Sequence, residues 1–529
     1  MRTHEADLCI VGAGITGTML AAKLAAERQL SIVVVEAGEK LFDLDKRFEH
    51  RQRYLDYREN SWPGDFIEDQ GAEGIISRTM AVGGQALHWA ATSLRYSRED
   101  FRIRSLYGVG WDWPVSYEEL EPYYCEAERR IGVAGSQGPE SEGWDPRSEP
   151  YPMEAFPLDY NQRHLRDWAS KADIEFRVTP TARNTRPYDG RMQCMRCGTC
   201  NICPTGAKYS PDFTLKTLLD ERAIELVPNT LVRRLELDGK GRHVQRAVAV
   251  DRTSGEELEI RARAFALAGG YTWTPHLMML SANSRSPNGL ANSSGLVGRY
   301  MCGHRPMWAL IEVPHRIYPG LSLSSMITRR FMKPPPGNPY IRHDLALFTH
   351  TYGRQPRLRD DGGRLLLGDN LMADWRQRSE RGCARVRGYY DVLPAKESRV
   401  VLDPATRNRW GDPLPGVEHV EHETSRSLRD QTHQQLMGIF ERLVARGRGK
   451  ILETFVGEYL DHPSGGCRMG DDPSESVCDG TGRTHDHENL WIIGAPTCVS
   501  SGCVNSTLTF VALSLRTATF LGKEFPRRS

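Results

Sequence analysis

Six residues near the start, Gly12-Ala13-Gly14-Ile15-Thr16-Gly17, constrain the fold more than any other part of this 529-residue chain. They follow the apolar run Leu8-Cys9-Ile10-Val11 and open a segment in which Leu20 and Leu24 lie one helical turn apart among small alanines. G-x-G-x-x-G between a strand and a helix has a use for each glycine: a tight turn, close approach of backbone to a pyrophosphate, and tight packing of helix on strand. The unpaired N–H groups and dipole of the helix N-terminus then face the phosphates. Ser31 to Val35 reads as a second strand. It ends in Glu36, 24 residues after Gly12, where a carboxylate can accept hydrogen bonds from ribose hydroxyls. The spacing predicts a dinucleotide site built on Gly12, Gly14, Gly17 and Glu36, without distinguishing FAD from NAD.

The alternation of strand and helix recurs at the far end, with Leu490 to Ile493 as a strand and Thr507 to Phe520 as a closing helix. In between, residues from Leu258 read as a strand up to Ala268-Gly269-Gly270, and as helix from Pro275 onward. An α/β, Rossmann-like domain assembled from discontinuous segments is therefore expected, from 1–95, 215–305 and 455–529, with an inserted α+β substrate domain from 96–214 and 306–454. Residues 37–75 are expected as surface loops and short helices, 134–151 as an exposed linker, and 334–339 as a loop.

Lys plus Arg (69) against Asp plus Glu (68) leaves a formal charge of +1, so no overall field calls for nucleic acid. No stretch approaches the roughly 18 to 20 apolar residues that span a bilayer, and no signal-like segment opens the chain. The expectation is a cytoplasmic protein without a membrane span.

Several further segments, in order, resemble the glucose-methanol-choline (GMC) oxidoreductases, an FAD-binding family. Val82-Gly83-Gly84-Gln85-Ala86-Leu87-His88-Trp89 is similar to the family's glycine pair and the stretch along the flavin, and Thr230-Leu231-Val232 to the short strand that meets the adenine. Ala268-Gly269-Gly270 with the following Thr274 to Ser281 resembles the second signature, and Gly295 to His304 the segment after it. His462-Pro463-Ser464-Gly465-Gly466 resembles the His-Pro-x-Gly-Thr segment with Gly466 for Thr, and Val504-Asn505-Ser506-Thr507 the closing Val-Asn-Pro-Thr segment with Ser506 for Pro. The resemblance implies FAD, held by Gly83, Gly84, His88, Val232, Gly269, Gly494, Ala495, Asn505 and Thr507 besides the opening glycines and Glu36. It covers the cofactor-binding half; residues 305–450 match little in it.

Oxidising an alcohol requires the hydroxyl proton to leave as hydride departs from carbon, and a histidine of ordinary pKa near 6.5 is suited to take it. The resemblance places the base at His462 and the group that holds the substrate oxygen at Asn505, whose amide donates to a developing alkoxide. His304 and His485 are read as structural, and Cys467, Cys498 and Cys503 as small buried residues. In some members of the family a histidine spaced like His88 from the paired glycines is bonded covalently to the flavin; here attachment and simple packing both stay open.

Cys194, Cys197, Cys200 and Cys203 stand at a uniform spacing of three within a loop at 190–210, and Pro204 follows the last. The run resembles that of bacterial ferredoxins, which have three residues before the final cysteine. A 3Fe-4S or 4Fe-4S cluster is expected, with a four-thiolate zinc site or no metal as alternatives. Some sugar dehydrogenases resembling this family carry a three-iron cluster in a comparable insertion. The resemblance to that branch implies an FAD-dependent dehydrogenase that oxidises a hydroxyl of a sugar, amino sugar or related polyol and sends electrons through the cluster to an external protein or quinone. Competing readings are an oxygen-reducing alcohol oxidase, a flavin and iron–sulfur electron carrier without its own substrate, and a non-redox lyase.

Overall fold

The apolar runs at the two ends of the chain meet in one sheet. The computed structural model describes residues 2–40, 44–57, 79–136, 144–318, 325–334, 340–350, 356–360, 362–457 and 460–527. In it the opening strand Arg2–Val11 lies between Ile32–Val35 and Glu257–Leu267, all parallel. Val11 is in register with both Val35 and Leu267, so three strand ends finish level at one edge. Glu225–Val227 extends the sheet beyond Ile32–Val35, and Leu490–Ile492 adds to Glu257–Leu267 from the end of the chain. Val244–Asp251 and Thr230–Leu237 complete it as antiparallel strands. All four residues of Ile32–Val35 are buried, as expected of a parallel strand covered on both faces. The helices Ile15–Glu27 and Thr507–Leu521 pack on each other, joining the head of the chain to its tail.

A second, antiparallel sheet runs in the order Lys450–Val456, Cys302–Val313, Gly382–Val392, Leu345–His350, Met326–Thr328, Arg177–Val178. Its strands alternate. Ala309, Ile311, Ala384 and Val386 point to a core closed by Trp168 of the helix Tyr160–Ser170 and by Leu436 and Phe440 of the helix Glu423–Gly447. The short strand Asp461–Ser464 pairs with Cys302–Val313, which sets His304 opposite Asp461. The site's histidine thus hangs from the second sheet, while the glycine turn belongs to the first.

Three expectations are corrected. The helix expected from Pro275 starts at Gly270, with Pro275 inside it, because Gly270 (φ +78°) makes the turn out of the strand at once. The segment 134–151 is not an exposed linker where it is described: Tyr151 and Asp145 are buried, and Arg147 pairs with the buried Glu128. Between 37 and 75 a fourteen-residue helix, Leu44–Tyr57, replaces short ones. Residues 41–43, 58–75, 137–143 and 335–339 of the expected loops and linker lie outside the described residues. Among the described residues no helix is long and apolar enough to cross a membrane.

Candidate active site

A cavity of about 440 Å³ opens at the level ends of Val11, Val35 and Leu267. That size is in the range of cofactor sites, and the position is where a doubly wound sheet binds its ligands. Of the predicted residues, Gly12, Gly14, Glu36, Gly84, His88 and Val232 line it, as do Gly269, Ala495, Asn505 and Thr507. Gly17, Gly83 and Gly494 do not, and each is explained by packing. A Cβ at Gly17 would lie 2.1 Å from the Gly12 carbonyl oxygen, one at Gly83 2.7 Å from Leu87, and one at Gly494 2.5 Å from Thr16.

The end of the cavity at the glycine turn follows from local backbone chemistry. Gly12 (φ +108°) turns the chain where any Cβ would meet the Ala268 carbonyl oxygen at 2.7 Å. Gly14 caps the helix Ile15–Glu27 without a side-chain hydrogen bond, leaving its first N–H groups for an anion. A Cβ at Gly84 would lie 3.2 Å from Gly14 Cα, so the two glycine turns converge on one spot. Glu36 is already used by backbone: Oε2 accepts the Ala13 N–H and Oε1 the Gly38 N–H, both at 2.8 Å. Burial pushes its pKa up while these bonds pull it back, and each oxygen keeps a further acceptor site for a ribose hydroxyl. Sequence reasoning missed the Arg233–Asp412 pair (2.7 Å), both of whose residues line the cavity beside Val232. Its members are 179 residues apart and carry no motif. A glycine-lined cradle, an uncapped helix start and a buried acceptor pair form a donor and acceptor set that fits FAD.

At the other end, His88 Nδ1 lies 2.9 Å from Thr79 Oγ1, and the Trp89 indole N–H donates to the Tyr209 carbonyl oxygen at 2.8 Å. Asn505, just before the closing helix, brings Nδ2 to 2.9 Å from His462 Nε2. His462 is half-buried at the cavity wall and holds φ +50°, a backbone strain that persists only where the surroundings dictate it. Burial pushes its pKa down to about 4, with Asp461 raising and Arg387 lowering it further. The ring is therefore neutral near pH 7. Its other nitrogen, Nδ1, lies 2.8 Å from Nε2 of His304, which is fully buried. His304, expected to be structural, touches the candidate base; its place in a segment 158 residues upstream gave no sign of this. His485 bonds Ser476 Oγ instead, and Cys467, Cys498 and Cys503 are buried as expected.

The cysteine run is the clearest departure. Among the described residues no group of three or more Cys, His, Asp or Glu side chains is placed to hold a metal ion. Cys203 is buried and Cys197 exposed, so Cys194, Cys197, Cys200 and Cys203 face different surroundings despite their even spacing. Burial pushes the Cys194 thiol up. Partial burial also acts upward on Cys197, but Thr199 and Arg51 bring it below its ordinary value. As arranged, these thiols fit neither an iron–sulfur cluster nor a zinc site. The loop is tied to the cavity wall by Lys208, whose backbone N–H lies 3.4 Å from Cys203 Sγ and whose ammonium donates to the Leu87 and Trp89 carbonyl oxygens.

Comparison with known proteins matches residues 394–514 to the GMC oxidoreductase family's C-terminal part. The chain is 34% identical over 550 residues to the fructose dehydrogenase large subunit of Gluconobacter japonicus, covering 98% of this chain and 97% of that one. It is 28% identical to the 6'''-hydroxyparomomycin C oxidase of Streptomyces lividus, covering 97% and 90%. Among solved structures, the formate oxidase of Aspergillus oryzae RIB40 superposes with a TM-score of 0.61 at 15% identity, covering 99% of both chains, a likeness of fold.

Proposed function

The chain belongs to the GMC oxidoreductase family, flavoproteins that bind FAD and act on CH–OH donors, and on that premise we propose that it oxidises a hydroxyl of a sugar, amino sugar or related polyol with His462 as base. The observation that carries the reading is the 2.9 Å approach of Asn505 Nδ2 to His462 Nε2 at the wall of the cavity. When bound, FAD supplies the hydride acceptor that the oxidation needs. For this the substrate hydroxyl must displace the direct Asn505–His462 contact and stand within hydrogen-bond reach of both side chains. His462 Nε2 receives its proton, and the Asn505 amide donates to the oxygen as negative charge develops there. A pKa near 4 keeps His462 neutral and ready, and Asp461 beside it restores part of the basicity that burial removes.

Two relatives carry names of sugar-derived compounds, fructose and a paromomycin, which supports a polyhydroxylated donor. An oxygen-reducing oxidase is the second reading, favoured by the name of the Streptomyces relative. Electrons otherwise leave to an external protein or quinone. An iron–sulfur cluster in the cysteine loop is supported by spacing alone; since the thiols do not converge, no electron step is drawn through it, and iron and acid-labile sulfide analysis tests it. Attachment of FAD through His88 belongs to the same proposal; acid precipitation shows whether colour stays with the polypeptide. A cytoplasmic location belongs to the same proposal and is tested by cell fractionation. The main test is anaerobic mixing of purified protein with D-fructose, gluconate and paromamine. Bleaching of the flavin by one of them supports the reading, and a flavin that none of these or other polyols reduces opposes it. Oxygen uptake set against reduction of a quinone then separates oxidase from dehydrogenase.

A further inference from the structure

We infer that His304 is a positioning residue: its Nε2 accepts the Nδ1–H of His462 and holds that imidazole in the tautomer whose Nε2 lone pair faces Asn505 and the substrate. The inference deepens the reading of His462 as base and rests on it.

The donor set dictates the order of protons. Asn505 presents Nδ2, a donor only, 2.9 Å from His462 Nε2, so that nitrogen accepts. A neutral imidazole carries a single N–H, which must then sit on Nδ1. The atom facing Nδ1, at 2.8 Å, is His304 Nε2, which therefore accepts as well and leaves the His304 proton on its own Nδ1. His304 Nδ1 is buried and has no partner of full hydrogen-bond geometry, and the Gly502 backbone is close enough to the ring to favour its protonated form. Reversing the chain would set two donors against each other at the Asn505 contact and strip the base of its lone pair. Gly502 stands three residues before Asn505. The loop that presents the amide to the front of His462 thus also meets the back of His304.

The surroundings keep this arrangement rigid. His304 is fully buried and packs its ring on Tyr389 (centroids 4.3 Å) and on His462 (4.8 Å). On its strand it faces Asp391 on one side and Asp461 on the other. Arg387, a cation that acts on it, is paired with Asp344 at 2.7 Å. Burial, with His462 and Arg387 adding to it, pushes the pKa of His304 well below its ordinary value. It stays a neutral acceptor when His462 takes up the substrate proton at Nε2, so the proton moves no further than the base.

Ring ¹⁵N spectra of histidine-labelled, flavin-loaded protein test this without any substrate, with signals assigned through His462→Ala and His304→Leu. The expected native spectrum has a protonated Nδ1 and bare Nε2 on both His462 and His304; a protonated His462 Nε2 would overturn the inference. In His304→Leu, His462 should populate the other tautomer. With D-fructose or paromamine as donor, the limiting rate of flavin reduction should fall about 10²-fold while KM changes little. His304→Gln, whose amide oxygen can accept the same N–H, should recover most of the rate. Native tautomer and rate in His304→Leu, or a Gln variant as slow as Leu, would reduce His304 to packing. If Leu fails to hold flavin, the native spectrum and the Gln variant decide. If His462→Ala keeps the native rate, the base assignment falls instead, and the spectrum still reports on the histidine pair.

Discussion

The Arg342 guanidinium lies 2.7 Å from the Asp100 carboxylate, with both side chains fully buried. Around this pair the Tyr340 hydroxyl donates to Asp391, and the Ser501 hydroxyl reaches Asp391 and the Gly303 carbonyl oxygen. Gly303 and Gly502 flank the network on the strand of His304 and on the loop before Asn505. The charged cluster therefore anchors both supports of the proposed catalytic pair, His462 and Asn505.

Breaking one partner should cost far more than an exposed pair would. Asp100→Ala leaves the Arg342 cation buried and uncompensated, a loss of about 3–5 kcal/mol. Thermal melts of flavin-loaded protein should show a clear drop in Tm, and a melt unchanged from native would show that water or another group takes over.

Stability should fall on mild acidification. Burial pushes His343 down to about 4 and His304 well below its ordinary value, both in fully buried positions. The unfolded chain binds these protons from about pH 6.5, so the contribution is complete above that and is lost as pH falls toward 4. Each group adds a slope of about 1.4 kcal/mol per pH unit within that window. Denaturant melts at about pH 7.5 and about pH 5 measure it, and equal midpoints would contradict it.

The turn at Gly12 should tolerate no side chain. With φ +108° and the Ala268 carbonyl oxygen 2.7 Å from any Cβ, Gly12→Ala must shift backbone that the phosphates need. The variant should purify without flavin colour. Gly190→Ala, also at positive φ but with nothing within 4 Å, should stay yellow.

Much of this was readable in the chain because the chemistry is local. A glycine turn, the strand before it and Glu36 lie within 36 residues, and His462 and Asn505 each sit in a short recognisable segment. What escaped depends on partners far apart in the chain. His304 meets His462 only because two strands pair antiparallel, and Arg233 meets Asp412 only because segments 179 residues apart come together at the cavity wall. Even spacing at the cysteines is not enough: a repeat of three fixes where thiols fall along a loop, but not whether they turn to one centre.

The reaction as derived uses nothing from that loop. Cys197→Ser should therefore reduce its flavin with donor as fast as native protein in anaerobic stopped-flow. A large loss there would bring the loop into the first half of the reaction.

Flavin reduction by excess donor in His462→Ala is the most direct measurement. With His462 as base, the variant should keep its flavin and be reduced about 10²-fold or more slowly than native protein, with Asn505→Leu also impaired. Reduction of His462→Ala at the native rate would contradict that assignment.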